Sequence, residues 1–279
     1  MIKITLLLTI LIMNMSAFEG FKIFNKNGKE KDTEDILDDA LDSQIILFGE
    51  LHNNPIAHYF QIKLLKGIYA EDSVISIGAE MFESDDQIVI DEFLSGKIRM
   101  KDLEKEAKIW NNFNTDYKYF LEFSEKNHLN FVATNIPRRY ASLLAREGVQ
   151  SLENLNDQAK KYFCPLPFEY DEELPGYKAM AGMGAGHGMP HIAQSQAIKD
   201  ATMAYFIHTN FNNRFYHLNG AYHSNNYEAI NWYLKKLNPD YKILTISVVE
   251  QDDIEDLAEE NKGLADYIIV VDSDMPKSY

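Results

Sequence analysis

The stretch Gln44-Ile45-Ile46-Leu47-Phe48-Gly49-Glu50-Leu51-His52-Asn53-Asn54-Pro55 decides how the chain is read. Gln44 to Phe48 is a short, mostly apolar run, the pattern of a strand buried on both faces of a parallel sheet. Pro55 then opens a helix to about Tyr69, because a first-turn residue has no helical N–H bond to lose. The same unit recurs along the chain. Val74 to Ala79 is a second strand, followed by helical patterns over Gln87 to Leu94, Lys101 to Trp110 and Tyr117 to Asn127. Leu129 to Thr134 is a third strand, and Arg138 to Glu147 a helix stopped by Gly148. Tyr216 to Asn219 and Ile243 to Val249 flank a helix over Tyr227 to Leu237, and Tyr267 to Val271 ends the sheet. Ahead of them Phe21 to Asn25 reads as a short strand before the turn Asn27-Gly28. Alternation of this kind predicts right-handed crossovers and an α/β fold, a mostly parallel sheet flanked by helices.

Residues 153–210 break the rhythm with Pro165, Pro167 and Pro175, a glycine-rich loop and a long helix from Ile192. They predict a smaller helical subdomain inserted between the two parts of the sheet domain, 18–152 and 211–279. Residues 1–17 have the anatomy of a secretory signal: Lys3, an apolar stretch from Ile4 to Met13, then Ser16-Ala17 before Phe18. The apolar run is shorter than the roughly 20 residues a spanning helix needs. The expectation is an exported protein of the periplasm or cell envelope. The one cysteine, Cys164, excludes an intramolecular disulfide, and no cysteine near residue 17 offers a lipid anchor. A formal net charge of −16 argues against nucleic acid, which is bound by neutralising phosphates with Lys and Arg.

Ligands of open parallel sheets bind outside the carboxyl ends of the strands. The first strand delivers Glu50 and His52 there, the second Glu80 and Glu83, the third Asn135, Arg138, Arg139 and Tyr140. The fourth delivers Gly220, Tyr222 and His223, and the fifth ends at Glu250. Carboxylates and imidazoles therefore recur at one edge, and Glu50, His52, Glu80 and His223 form the candidate acid–base or metal-ligating set. Taken singly, Glu50 could instead cap the Pro55 helix and His52 be an ordinary loop histidine. Glu80 follows Ile75 to Ala79 so directly that it needs a buried partner.

Arg138-Arg139-Tyr140 sets a phenol beside two guanidinium groups, which favour the phenolate, a hard donor suited to ferric iron. Its ordinary reading is a helix start with two solvated arginines and a core tyrosine. Met180, Met183, His187, Met189 and His191 lie in the glycine-rich segment Lys178 to His191. They could hold a cuprous ion, line an apolar face for a planar ligand, or be incidental to a loop. No nucleophile elbow, phosphate-binding glycine loop, dinucleotide fingerprint or helical His-Glu-x-x-His is present.

These blocks together resemble the ChaN family of haem-binding uptake proteins, in the larger group that includes the erythromycin esterase and Tiki proteins. The resemblance rests on Gly49-Glu50-Leu51-His52 with Asn53, Pro55 and His58, and on Ala79-Glu80-Met81-Phe82. It continues through Asn135-Ile136-Pro137-Arg138, Gln196 to Ala204 with Asp200 and Met203, and Gly220-Ala221-Tyr222-His223. It implies a parallel-sheet domain with a smaller helical one, and ferric haem bound where two monomers pair. It also implies haem or iron uptake or storage, with an outer-membrane haem transport system as partner. Iron ligation by tyrosine falls on Tyr140, with Tyr177 as the other possibility, and propionate contacts on His187, His191 and Lys178, beside Arg138 and Arg139. The missing lipobox cysteine departs from relatives of this kind that are lipoproteins. The rival reading is a hydrolase, perhaps with a divalent metal, in which Glu50 or Glu80 is the base and His52 or His223 binds metal or donates a proton.

Overall fold

The computed structural model describes residues 19–184 and 189–279; the expected signal segment and His187 lie outside the described residues. Eight strands form one sheet. They are β1 (Phe21–Asn25), β2 (Glu30–Lys31), β3 (Ile45–Glu50), β4 (Ile75–Glu83), β5 (Phe131–Asn135), β6 (Arg214–Gly220), β7 (Ile243–Gln251) and β8 (Tyr267–Asp272). Their spatial order is β2-β1-β8-β7-β3-β6-β4-β5. All neighbours from β8 to β5 are parallel, and β1 runs antiparallel to both β8 and β2. The sheet is thus mostly parallel, as its continuous apolar runs require.

Helices cover both faces. On one face lie α1 (Thr33–Asp42), α2 (Pro55–Glu71), α3 (Gln87–Leu94), α4 (Met100–Glu106) and α5 (Lys118–Asn127). They bury Ile36, Phe60, Leu65, Phe93 and Leu121 against Ile46, Phe48 and Ile77 of the sheet. The other face carries α6 (Arg138–Glu147), the short α7 (Gln150–Glu153) and α8 (Asp157–Lys160), α9 (Pro175–Gly184), α10 (Ile192–Thr209) and α11 (Ile230–Leu237). There Ala197, Ile198, Ala204 and Leu234 pack with Ile45, Leu47, Val132 and Phe215. The long helix of segment 153–210 therefore shares its core with the strands. Among the described residues no helix is long and apolar enough to cross a membrane.

Several element ends have local causes. Asn54 caps α2, its Oδ1 accepting from the amides of Ile56 and Ala57, with Pro55 at the first turn; Glu50 is not the cap. The α4 helix stops at Glu106, short of the expected Trp110, because Lys108 is drawn elsewhere: its amide donates to Asp86 and its ammonium to Asp85. Gly148 stops α6 with φ +80°, a conformation glycine adopts without strain. The segment expected as a glycine-rich loop from Lys178 is helical as far as Gly184.

The chain changes direction beside β3. That strand feeds α2 on one face, whereas its neighbour β6 feeds α11 on the other. Adjacent strands sending their connections to opposite faces leave a crevice at their carboxyl ends, the usual ligand position of such sheets. Glu50 and Gly220 are the paired residues at that point.

Candidate functional site

Glu50 is the last residue of β3, not the first of a loop, and is 1% exposed. A buried carboxylate needs donors, and three are supplied, by the loop just after β3, by α2 and by the turn before α5. Tyr117 donates to Oε1 at 2.5 Å, His52 Nδ1 to the same oxygen at 2.8 Å, and Gln61 to Oε2 at 2.6 Å. His58 Nδ1 lies 3.5 Å from Oε2. Burial and the Glu50 charge drive the Tyr117 phenol far above its ordinary value, so it stays a donor. Because a carboxylate only accepts, the proton of His52 is fixed on Nδ1 and Nε2 is turned the other way.

On the opposite face of the same edge a second pair is built around Glu80, inside β4. Its Oε2 accepts from the Gly220 amide at 2.7 Å and its Oε1 lies 3.1 Å from His223 Nε2. The other nitrogen of His223 meets Asp200 of α10, and Tyr177 of α9 donates to Asp200 at 2.8 Å. With a carboxylate at each ring nitrogen, His223 must donate from both and is an imidazolium. Desolvation opposes that charge, but Glu80 and Asp200 outweigh it and push His223 up to about 10. Burial likewise opposes ionisation of Glu80, yet the attraction of His223, aided by His52 and the Gly220 amide, holds it well below the usual carboxylate range. Asp200 is raised, its complete burial prevailing over His223 and Tyr177.

Gly220 is where the two pairs meet. A Cβ there would stand 2.8 Å from His52 Nε2 and 3.5 Å from Glu80 Oε2, so only glycine lets the His52 ring close over β6. Of the four predicted residues, Glu50, Glu80 and His223 are buried, and His52, with 34% of its side chain exposed, is the member that reaches solvent. Burial lowers the tendency of His52 to protonate, but Glu50 and Glu80 reverse this and raise it. Trp110 packs edge-on to its ring at 4.8 Å. The four thus converge as two acid–imidazole pairs. Among the described residues no three His, Cys, Asp or Glu side chains are grouped to hold a metal ion. Glu250 stands apart, tied to Asn54 at 2.9 Å and ion-paired with Lys277.

Tyr140 lies in the first turn of α6, partly exposed, with its ring packed on Phe163. Only one of the two expected guanidinium groups reaches it. Arg139 stacks over the ring at 4.4 Å and donates to the hydroxyl at 3.3 Å while ion-pairing with Asp85 at 2.6 Å. Arg138 departs in another direction, as residues two apart on a helix must. It is 78% exposed, 4.0 Å from Glu83. A cavity of about 290 Å³ opens beside Tyr140's partner Phe163, lined also by Glu153, Lys160, Cys164, Pro165, Leu166 and Pro167. Tyr177 is buried and committed to Asp200, so its oxygen is not offered to a ligand at the rim. Lys178 is exposed on α9 and paired with Glu173 at 2.6 Å. His191 precedes α10, its amide bound to the Ala145 carbonyl and its ring against Gly148.

Sequence reasoning did not single out Tyr117 or Gln61, which carry no local sign, nor Asn112, whose side chain donates to the His52 carbonyl at 3.0 Å. Asp200 did carry one: a lone carboxylate among Ala197, Ile198, Ala201 and Met203 of a buried helix face.

No curated protein sequence matches the chain. Among solved structures it is similar to ChaN of Campylobacter jejuni, described as binding haem cofacially, with a TM-score of 0.69 and 16% identity over 91% of this chain and 97% of that one. It is also similar to a Bacillus cereus protein (TM-score 0.53, 9% identity, 86% and 90% covered) and to a succinoglycan biosynthesis protein (0.52, 9%, 87% and 91%). At such identities the likeness is one of fold. The model of the family described as haem-binding uptake, Tiki superfamily, ChaN matches residues 36–234. The chain therefore belongs to the ChaN family of haem-binding uptake proteins, and with it to a haem-binding role.

Proposed function

We propose that the protein is an exported haem carrier or store that grips ferric haem through Tyr140, with two copies pairing around the ligand. The observation that carries this reading is Tyr140 itself. Its side chain is partly exposed in the first turn after β5, and Arg139 stacks on its ring and donates to its oxygen. A tyrosine oxygen is a hard donor suited to ferric iron, and the Phe163, Pro165 and Leu166 side of the neighbouring cavity suits the edge of a planar macrocycle. Arg139, Lys178 and His191 are the groups proposed to meet the propionates, and His187, outside the described residues, is proposed with them on the sequence alone. Arg138, turned toward Glu83, would serve only if it swung back. Cofacial haem binding in the Campylobacter relative is compatible with two copies that bring their haems face to face. The bound haem supplies iron and colour; the protein's part is an oxygen ligand, charge for the propionates and shelter from water. The signal-like residues 1–17 support export to the periplasm or cell envelope.

Titration of the purified protein with haemin tests it. Tyr140→Phe should weaken binding at least ten-fold, while Tyr177→Phe should leave the affinity within a few-fold of the parent. Equal affinity of parent and Tyr140→Phe would remove Tyr140 from the site.

A second reading, hydrolysis by Glu50, His52, Glu80 and His223, is favoured by one feature: His52 is oriented by Glu50 and is the member of the cluster open to solvent. Ester turnover lost in His52→Ala but kept in Tyr140→Phe would support it; absence of turnover across an ester and peptide panel would reject it.

A further inference from the structure

A second cavity, of about 320 Å³, lies in the valley between α1 and α2, over the sheet and apart from the carboxyl edge. Its floor is hydrocarbon: Phe21, Ile36, Phe48, Phe60 and Ile269. Four of these are 5% exposed or less, and Phe21 stacks edge-on to Phe60 at 4.8 Å. An occupant must therefore present an end without polar atoms, since the floor can satisfy none. The mouth is different. Lys63 and Tyr59 stand there, two groups that can donate hydrogen bonds to an occupant, with Thr33 and Glu34 beside them. The Glu34 carboxylate beside them is already engaged by the Thr33 hydroxyl at 3.0 Å. Lys63 is exposed and enters no ion pair among the described residues. Tyr59 is 54% exposed, a large aromatic left at the rim of an apolar hollow.

We propose that this cavity binds a single-chain amphiphile with an anionic head, a free fatty acid, with its tail on the phenylalanine floor and its carboxylate at Lys63. Size sets the chain length. At roughly 30 Å³ per methylene-sized group, taking the volume share of a small liquid molecule, the space holds on the order of ten such groups. That makes a tail of about ten to twelve carbons, at the small end of ligand cavities, which run from about 300 Å³ upward. The site is independent of the haem reading, because α1 and α2 contribute nothing to the surroundings of Tyr140.

The test is calorimetric titration of the full chain with saturated carboxylates of 6 to 16 carbons, each below its micelle concentration. Dodecanol and dodecyltrimethylammonium serve as head-group controls and phosphatidylcholine vesicles as a membrane control. Affinity should rise about four-fold per methylene, the equivalent of about 0.8 kcal/mol, and level off once the cavity is filled. Lys63→Ala should weaken the carboxylate by roughly two- to five-fold, the range of an exposed ion pair, and leave dodecanol unchanged. Leu64→Trp, which places a larger ring in the lining, should abolish binding while haemin titrates as in the parent. Absence of saturable binding, affinity independent of chain length, or a cationic head bound as well as the carboxylate would each overturn the proposal. So would vesicle association without binding of the monomeric acid. If Leu64→Trp does not fold, the chain-length series and Lys63→Ala decide the matter alone.

Discussion

Replacing Glu80 by Gln removes one of the two carboxylates that hold the His223 imidazolium and leaves its shape almost unchanged. Glu80 is 7% exposed and spends its oxygens on His223 at 3.1 Å and the Gly220 amide at 2.7 Å. Breaking a buried ion pair by deleting one partner costs about 3–5 kcal/mol. Asp200 still faces the other ring nitrogen, so the lower end, about 3 kcal/mol, is expected at pH 7. The pH dependence carries more information than the number. His223 is raised from 6.5 to about 10, so its contribution is complete below pH 6.5 and disappears as pH rises toward 10. Glu80 is depressed, so its contribution is complete above about pH 4.5 and is lost only in strong acid. The pair therefore stabilises most between about pH 4.5 and 6.5. On the alkaline side the His223 shift alone amounts to at most about 5 kcal/mol. Urea unfolding followed by the fluorescence of Trp110 and Trp232, from pH 6 to 10.5, reads this. The difference between parent and Glu80→Gln cancels the lysines and exposed tyrosines that titrate above pH 9. It should be largest near pH 6.5 and shrink toward pH 10. A difference below about 1 kcal/mol at pH 7, or one that stays constant with pH, would refute the imidazolium bridge.

Three further outcomes follow from the same geometry. Gly220→Ala puts a methyl 2.8 Å from His52 Nε2, forcing the ring off Glu50; a loss of about 1–3 kcal/mol is expected, with the His52 imidazole titrating lower by NMR. Asn54→Ala deletes the cap of α2 and a donor to Glu250 and should cost about 1–2 kcal/mol, seen as a melting temperature several degrees lower. Burial pushes the Cys164 thiol up to about 12, so native protein should not react with a thiol reagent at pH 8 and should do so fully in urea.

The strands were legible because their apolar runs are unbroken, and the rim was legible because those runs end in Glu50, Glu80 and the Gly220 turn. Less legible was that Glu50 and Glu80 belong to the strands. A carboxylate at the end of an apolar run reads as a stop. Here each stays in the sheet because donors arrive from far away: Tyr117, 67 residues along the chain, for Glu50, and the Gly220 amide, 140 residues along, for Glu80. Local pattern does not encode partners at that distance. The same limit explains Arg138, two residues before Tyr140 in the helix start yet drawn toward Glu83, a carboxylate of another strand. It explains Tyr177 too, whose exposed-looking position after Pro175 and Gly176 gives no hint that its hydroxyl is claimed by Asp200 in the interior.

The resonance Raman and absorption spectra of the haemin-loaded protein test the central claim most directly. The account predicts a high-spin ferric spectrum with tyrosinate modes, kept in Tyr177→Phe and absent in Tyr140→Phe. A low-spin spectrum of paired imidazole ligands, unchanged when Tyr140 is replaced, would contradict it.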